Sequence, residues 1–299
     1  MRIGYRRLVD VKGWPETRNA ILSALIERGH EIILLSQLSE GTYPDSCLTE
    51  GEYDILMLEF GSANTLMFAK AWEASLKLVK EHKGPIIYIN DDPDLHWSKS
   101  QSEKLFQDED WSRWTFAFNA IDLSAVRKMF HIPTEAKVVE FPMKSLFKRL
   151  PFADGEIDKA IYYGKPKARE KMIQAFYTTK RLAIAGVQKQ YEPLGLSVLP
   201  VPEFNNRGFL YRQYWASLAL FDSRHAKIGF RTGRAYHSVL NGVPALAPVG
   251  NEGLGWVNQL RGLEDFLGFF DESREYRRAL LEQQQRDAFP DVDWESLSL

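Results

Sequence analysis

Short apolar runs with almost no alternation recur along this chain: EIILLS at 31–36, DILMLEF at 54–60 and PIIYIN at 85–90. A strand with one wetted face alternates apolar and polar residues; a parallel strand covered on both faces does not. Between the runs lie segments of helical character. In 16–29, Ile21, Leu22, Leu25 and Ile26 share a buried side, and 65–82 is a helix ended by Lys83-Gly84-Pro85. Strands at 1–5, 114–119 and 137–141 and a helix at 123–130 complete the first half. The second half repeats the alternation, with strands at 159–164, 181–187, 196–201, 216–221 and 243–248 and helices at 167–177, 234–240 and 275–287. Repeated βα units of this kind predict α/β architecture with two doubly wound parallel sheets.

At 299 residues the chain suits two domains of about 150 residues each. With 44% apolar residues, each half can bury its own core. Pro151 and Gly155 mark the linker at 144–157. The expected division is an N-terminal domain at 1–147, a second at 158–273, and a C-terminal helical segment at 274–299 that packs back across both. In open α/β sheets ligands bind beyond the carboxyl ends of the strands, so two such domains face each other across a cleft.

Partners are bounded by charge and by cysteine. A net charge of −2 gives no global positive field to draw in nucleic acid or an anionic membrane. Cys47 is the lone cysteine, which rules out an intrachain disulfide and a Cys-rich metal site. The N-terminus MRIGYRR lacks the apolar core of a signal peptide, and no run of about 18 apolar residues occurs. A cytoplasmic monomer without a membrane partner is expected.

Three constellations fall at predicted strand ends. NDDPD at 90–94 follows PIIYIN directly, and its carboxylates suit a general base, a metal site or a solvated turn. Asp91 lies nearest the strand. YGKPKAREK at 163–171 is a strand end, a glycine turn and a helix start. Gly164 permits close backbone approach, and a helix N-terminus favours phosphate. Lys165, Lys167 and Arg169 add cations where the helix dipole disfavours them unless an anion binds. The spacing is not a P-loop, so kinase or ATPase chemistry is unsupported. The third, KIGFRTGRAYHSVLNGVP at 227–244, is a loop with Arg231 entering a helix that carries Arg234 and His237 on one face. Arginine grips a diphosphate bidentately and histidine reaches ribose hydroxyls; surface cations beside a packing histidine are the alternative.

In this order the constellations resemble the GT-B glycosyltransferases, and among them the T-even phage DNA β-glucosyltransferase family. There a catalytic aspartate follows an apolar, aromatic strand, as Asp91 follows IIYIN. A first phosphate loop runs from Tyr-Gly to Arg-Glu, as in YYGKPKARE, with Arg169 in the matching place. A second nucleotide segment has an arginine and, three residues on, a ribose-binding glutamate before a buried strand, as in RAYHSVLNGVPALA. VVEFPMKSLF at 138–147 resembles the chain leaving the first domain.

The resemblance implies an inverting transferase that moves a sugar from a nucleotide-sugar, a UDP-sugar by analogy, to a hydroxymethylated pyrimidine in phage DNA. The compartment would then be the host cytoplasm. Asp91 would be the base; Gly164, Lys165, Lys167, Arg169, Arg231, Arg234 and His237 would hold the donor. Arg6, Arg7, Trp14, Asp92, His96 and Trp97 would line the acceptor side, where a flipped base could stack. No metal is required, since cations can neutralise the leaving diphosphate, though a divalent ion is allowed. His237 stands in place of the glutamate, which leaves a nucleotide other than UDP open, and lysines replace a phosphate-loop arginine. The near-neutral charge keeps a glycan, protein or small-molecule acceptor in play. A non-catalytic nucleotide-sugar sensor and an epimerase are the readings outside the transferases.

Overall fold

The computed structural model describes residues 1–7, 15–35, 46–60, 75, 77–90, 109–167, 169–200, 207–220, 233–249 and 255–299. The chain divides into two units, Met1–Leu146 with Asp291–Leu299, and Phe147–Pro290.

The first unit is built on a six-stranded parallel sheet. Its strands are β1 (Arg2–Arg7), β2 (Glu31–Leu34), β3 (Ile55–Phe60), β4 (Ile86–Asn90), β5 (Trp114–Phe118) and β6 (Lys137–Glu140), in the order β2-β1-β3-β4-β5-β6. All five residues of β4 are buried, as the run IIYI ahead of Asn90 predicts for a strand covered on both faces. Helix α1 (Pro15–Glu27) lays Ile21, Leu22 and Leu25 on one face, against Ile3, Tyr5, Met57 and Ile89. It stops at Gly29, whose φ of 84° lets the chain turn back, with the Gly29 N–H donating to Ile26 O at 2.8 Å and the His30 N–H to Leu25 O at 3.1 Å. The opposite face is aromatic: Tyr88, Phe116 and Phe118 pack in a column, closed by Phe130 after helix α2 (Leu123–Met129). Leu297 is buried in the first unit's core, with Trp294 packed against it.

The second unit carries a five-stranded parallel sheet. Its strands are β7 (Ile157–Tyr163), β8 (Leu182–Ala185), β9 (Tyr214–Leu218), β10 (Ala245–Pro248) and β11 (Asn258–Leu260), in the order β11-β10-β9-β7-β8. Helices α3 (Glu170–Thr178), α4 (Arg207–Arg212), α5 (Gly233–Leu240), α6 (Leu263–Gly268) and α7 (Arg274–Ala288) flank it. Ile173, Phe176, Phe266 and Phe270 cover Tyr162, Ile184, Leu218 and Leu246 on one face. Tyr236, Val239 and Leu281 join Ala245 and Ala247 on the other.

Two doubly wound parallel sheets are what the alternation predicted, with particular departures. The strand expected at 196–201 is not a sheet member over its described residues: Leu199 alone forms an isolated bridge to Ala185. The helix expected from 167 begins at Glu170, because the chain first closes a separate turn from Pro166 to Arg169. The Arg169 N–H closes a turn onto Pro166 O at 2.8 Å before the helix starts. Lys165 and Lys167 therefore lie ahead of the helix, Lys167 within that turn. β11, α4 and α6 were not predicted. The helix expected at 65–82 and the strand end at 201 lie largely outside the described residues.

Candidate functional site

Strand order fixes where a ligand can enter. From β7 the second sheet grows one way to β8 and the other way to β9, β10 and β11. Where the order reverses, successive crossovers lie on opposite faces and leave a crevice at the carboxyl ends. In this unit that crevice lies between β7 and β9. The chain leaving β7 carries Gly164, Lys165, Lys167 and Arg169; the chain leaving β9 leads to α5, with Arg234 and His237.

These two segments meet. The Arg234 guanidinium lies against Gly164 so closely that a Cβ there would come within 2.6 Å of its Cζ and Nη1. The same guanidinium is 5.9 Å from the centroid of the Tyr162 ring, a cation–π contact. On the other side of the loop the Tyr191 hydroxyl donates to Gly164 O at 2.7 Å, and the Tyr162 hydroxyl donates to Lys165 O at 2.8 Å. Arg169 reaches the same Lys165 carbonyl at 3.4 Å. Its Nε is buried without a hydrogen-bond partner.

The Tyr191 ring needs Gly186, at the end of β8, as Arg234 needs Gly164: a Cβ at 186 would lie 2.6 Å from the ring. Burial first, and then the Tyr162 phenol, push the Tyr191 hydroxyl well above its usual pKa, against the pull of Arg234 and Arg169. It stays a neutral donor. Lys165 and Lys167 are exposed, while Arg234 and His237 are partly buried. His237 lies one turn along α5 from Arg234. Arg231 lies outside the described residues.

The first sheet has its own reversal, between β1 and β3. Arg6 and Arg7 end β1 there. Arg6 is partly buried, which pushes its guanidinium pKa down. Glu59, one residue from the end of β3, is 3% exposed and accepts a hydrogen bond from the Tyr5 hydroxyl. A buried carboxylate is costly unless so paired. Asn90 ends β4, fully buried between Phe60 and Phe118, with its Nδ2 donating to the Tyr88 hydroxyl at 3.3 Å. Asp91 and Asp92, which follow β4 in the sequence, lie with Trp14, His96 and Trp97 outside the described residues.

Tyr191, Gly186 and Glu59 were missed in the sequence. The acid inside ILMLEF was the one available signal, since a charge within a both-faces-buried run needs a reason. Among the described residues no three His, Cys, Asp or Glu side chains converge to hold a metal ion.

Two parallel doubly wound α/β units are the architecture of the GT-B fold. The structures similar to this one belong to glycosyltransferases. The T4 phage β-glucosyltransferase superposes with a TM-score of 0.67 over 100% of this chain and 97% of that one, at 16% identity. That enzyme has also been solved in complex with UDP and Mn2+. A glycosyltransferase of Rickettsia africae follows with a TM-score of 0.55 and 9% identity over 99% of this chain and 95% of that one. The trehalose 6-phosphate synthase of Burkholderia multivorans gives 0.52 and 11% over 95% and 94%. No family model and no curated protein sequence matches the chain.

Proposed function

We propose that this protein is an inverting, nucleotide-sugar-dependent glycosyltransferase whose acceptor is a hydroxymethylated pyrimidine base in DNA. The observation that carries the reading is the meeting of Gly164, Lys165, Arg169 and Arg234 at the strand reversal of a GT-B unit. Cations gathered on a loop at a strand end, with an arginine seated against its glycine, suit a diphosphate. Arg234, Arg169, Arg231, Lys165 and Lys167 bind the two phosphates of a UDP-sugar, and His237 bonds the ribose. Asp91 accepts the proton of the acceptor hydroxyl as its oxygen attacks the anomeric carbon. The bond from that carbon to the β-phosphate oxygen breaks, and UDP leaves with the electron pair, its charge met by the arginines. Because attack comes opposite the leaving group, the anomeric centre inverts.

The donor residues are cationic, so a divalent ion is not required of them; one bound by the donor's own phosphate oxygens would add charge neutralisation. Arg6, Arg7 and Trp14 contact DNA phosphates and the extruded base, with Asp92, His96 and Trp97 beside Asp91. The DNA acceptor draws its support from whole-length likeness to a phage β-glucosyltransferase. A net charge of −2 favours instead a glycan, protein or small-molecule acceptor. Among the described residues no helix is long and apolar enough to cross a membrane.

The test is to incubate the protein with UDP-sugars and DNA carrying hydroxymethylcytosine, hydroxymethyluracil or neither, then digest and weigh the nucleosides. A sugar-sized mass gain on one modified base, abolished in Asp91→Ala, is the expected result. Binding of the nucleotide-sugar with no gain on any DNA would move the acceptor to the second class. DNA binding that does not weaken steeply with salt would do the same.

A further inference from the structure

Resting on the donor site proposed above, we infer that Tyr191 and Tyr162 are positioning residues for the donor's phosphates, holding the Gly164 loop from behind so that its backbone faces the diphosphate. In a trans peptide the carbonyl and the following N–H point in opposite directions, and no peptide among the described residues is cis. Tyr191 fixes the Gly164 carbonyl at 2.7 Å, so the Lys165 N–H is turned away from Tyr191. That N–H has no hydrogen-bond partner among the described residues.

Tyr162 holds the next carbonyl, Lys165 O, at 2.8 Å while its ring carries Arg234. Two consecutive carbonyls are thus held by two phenols, and the ring of one of them lies against the guanidinium. Glycines at the ends of neighbouring strands make the arrangement possible: Gly186 gives room to the Tyr191 ring, and Gly164 gives room to Arg234. Tyr191 is fully buried and reaches the loop from the short helix Gln188–Tyr191 after β8, so it touches no ligand itself.

Tyr191→Phe and Tyr162→Phe keep the rings and remove the hydroxyls. Binding of UDP, GDP and ADP, each with its nucleoside, is measured by calorimetric titration and competition on the whole protein, with thermal unfolding alongside. The expected result is about tenfold weaker binding of the preferred diphosphate in either variant, with the nucleoside unchanged and unfolding shifted by only a few degrees. Equal loss for diphosphate and nucleoside would reduce the tyrosines to supports of the fold and overturn the inference. So would unchanged diphosphate affinity, leaving the donor site itself intact. Failure of the unsubstituted protein to bind any of the diphosphates would overturn the donor site and this inference together.

Discussion

A methyl group at position 164 would occupy the space that Arg234 now fills. The far end of an arginine moves more cheaply than backbone, so Gly164→Ala displaces the guanidinium, and at a φ of 159° the added Cβ strains the loop as well. The expected outcome is a drop of about tenfold to a hundredfold in diphosphate affinity together with a loss of about 1 kcal/mol in stability, read by titration and by urea denaturation. A second outcome at this scale concerns protons. Burial lowers the pKa of His82, which stacks on Tyr53 at 5.1 Å and hydrogen-bonds Pro85 O at 3.1 Å; burial and the N-terminal amine lower that of His30. The unfolded chain takes up these protons first. Stability is therefore complete above about pH 6.5 and drains as pH falls toward the lower folded values. Urea midpoints at pH 7.5 and 5.5 should differ in that sense, and the difference should shrink in His82→Gln.

Gln284 joins two elements through a single amide. Fully buried on α7, it accepts from the Ala245 N–H at 2.9 Å and donates to Ala245 O at 2.7 Å, on β10. Gln284→Leu keeps the volume, leaves the Ala245 N–H dry and unpaired, and removes one donor from Ala245 O, which the β10–β11 register still pairs with the Asn258 N–H. A loss of roughly 1–3 kcal/mol in unfolding free energy is expected from chemical denaturation. Elements differed in how far the sequence disclosed them. β4 was plain because IIYI is an unalternating run ahead of Asn90, as a strand buried on both faces shows. β11 was hidden: NQL is three residues long with one apolar side chain, and it forms through pairing with β10. The run at 196–201 has strand composition, yet only Leu199 finds a partner, because composition records burial and not pairing. Gly164, Arg169 and Arg234 could be read because each follows a strand in a local pattern. Tyr191 acts on the loop from 27 residues away through one hydrogen bond, and no local pattern announces that.

At the scale of the molecule, the first unit is assembled from two separated stretches of chain. Leu297 is 1% exposed in that unit's core, Trp294 meets Phe141 edge-on at 5.8 Å, and Arg28 lies 5.4 Å over the Trp294 ring. Lys137 ties down the Ser296 carbonyl. Leu297→Ala is expected to cost about 2–5 kcal/mol, with the loss confined to the first unit. Hydrogen exchange on its strands should rise while that on β7 to β10 stays put. The same feature sets an order of events during synthesis. Residues 1–146 emerge first but lack the segment that completes their core, whereas 147–290 are all present before 291–299 have been made. The half of the protein translated earliest is thus the last to be finished, and until then it waits with an apolar surface open to solvent and to chaperones.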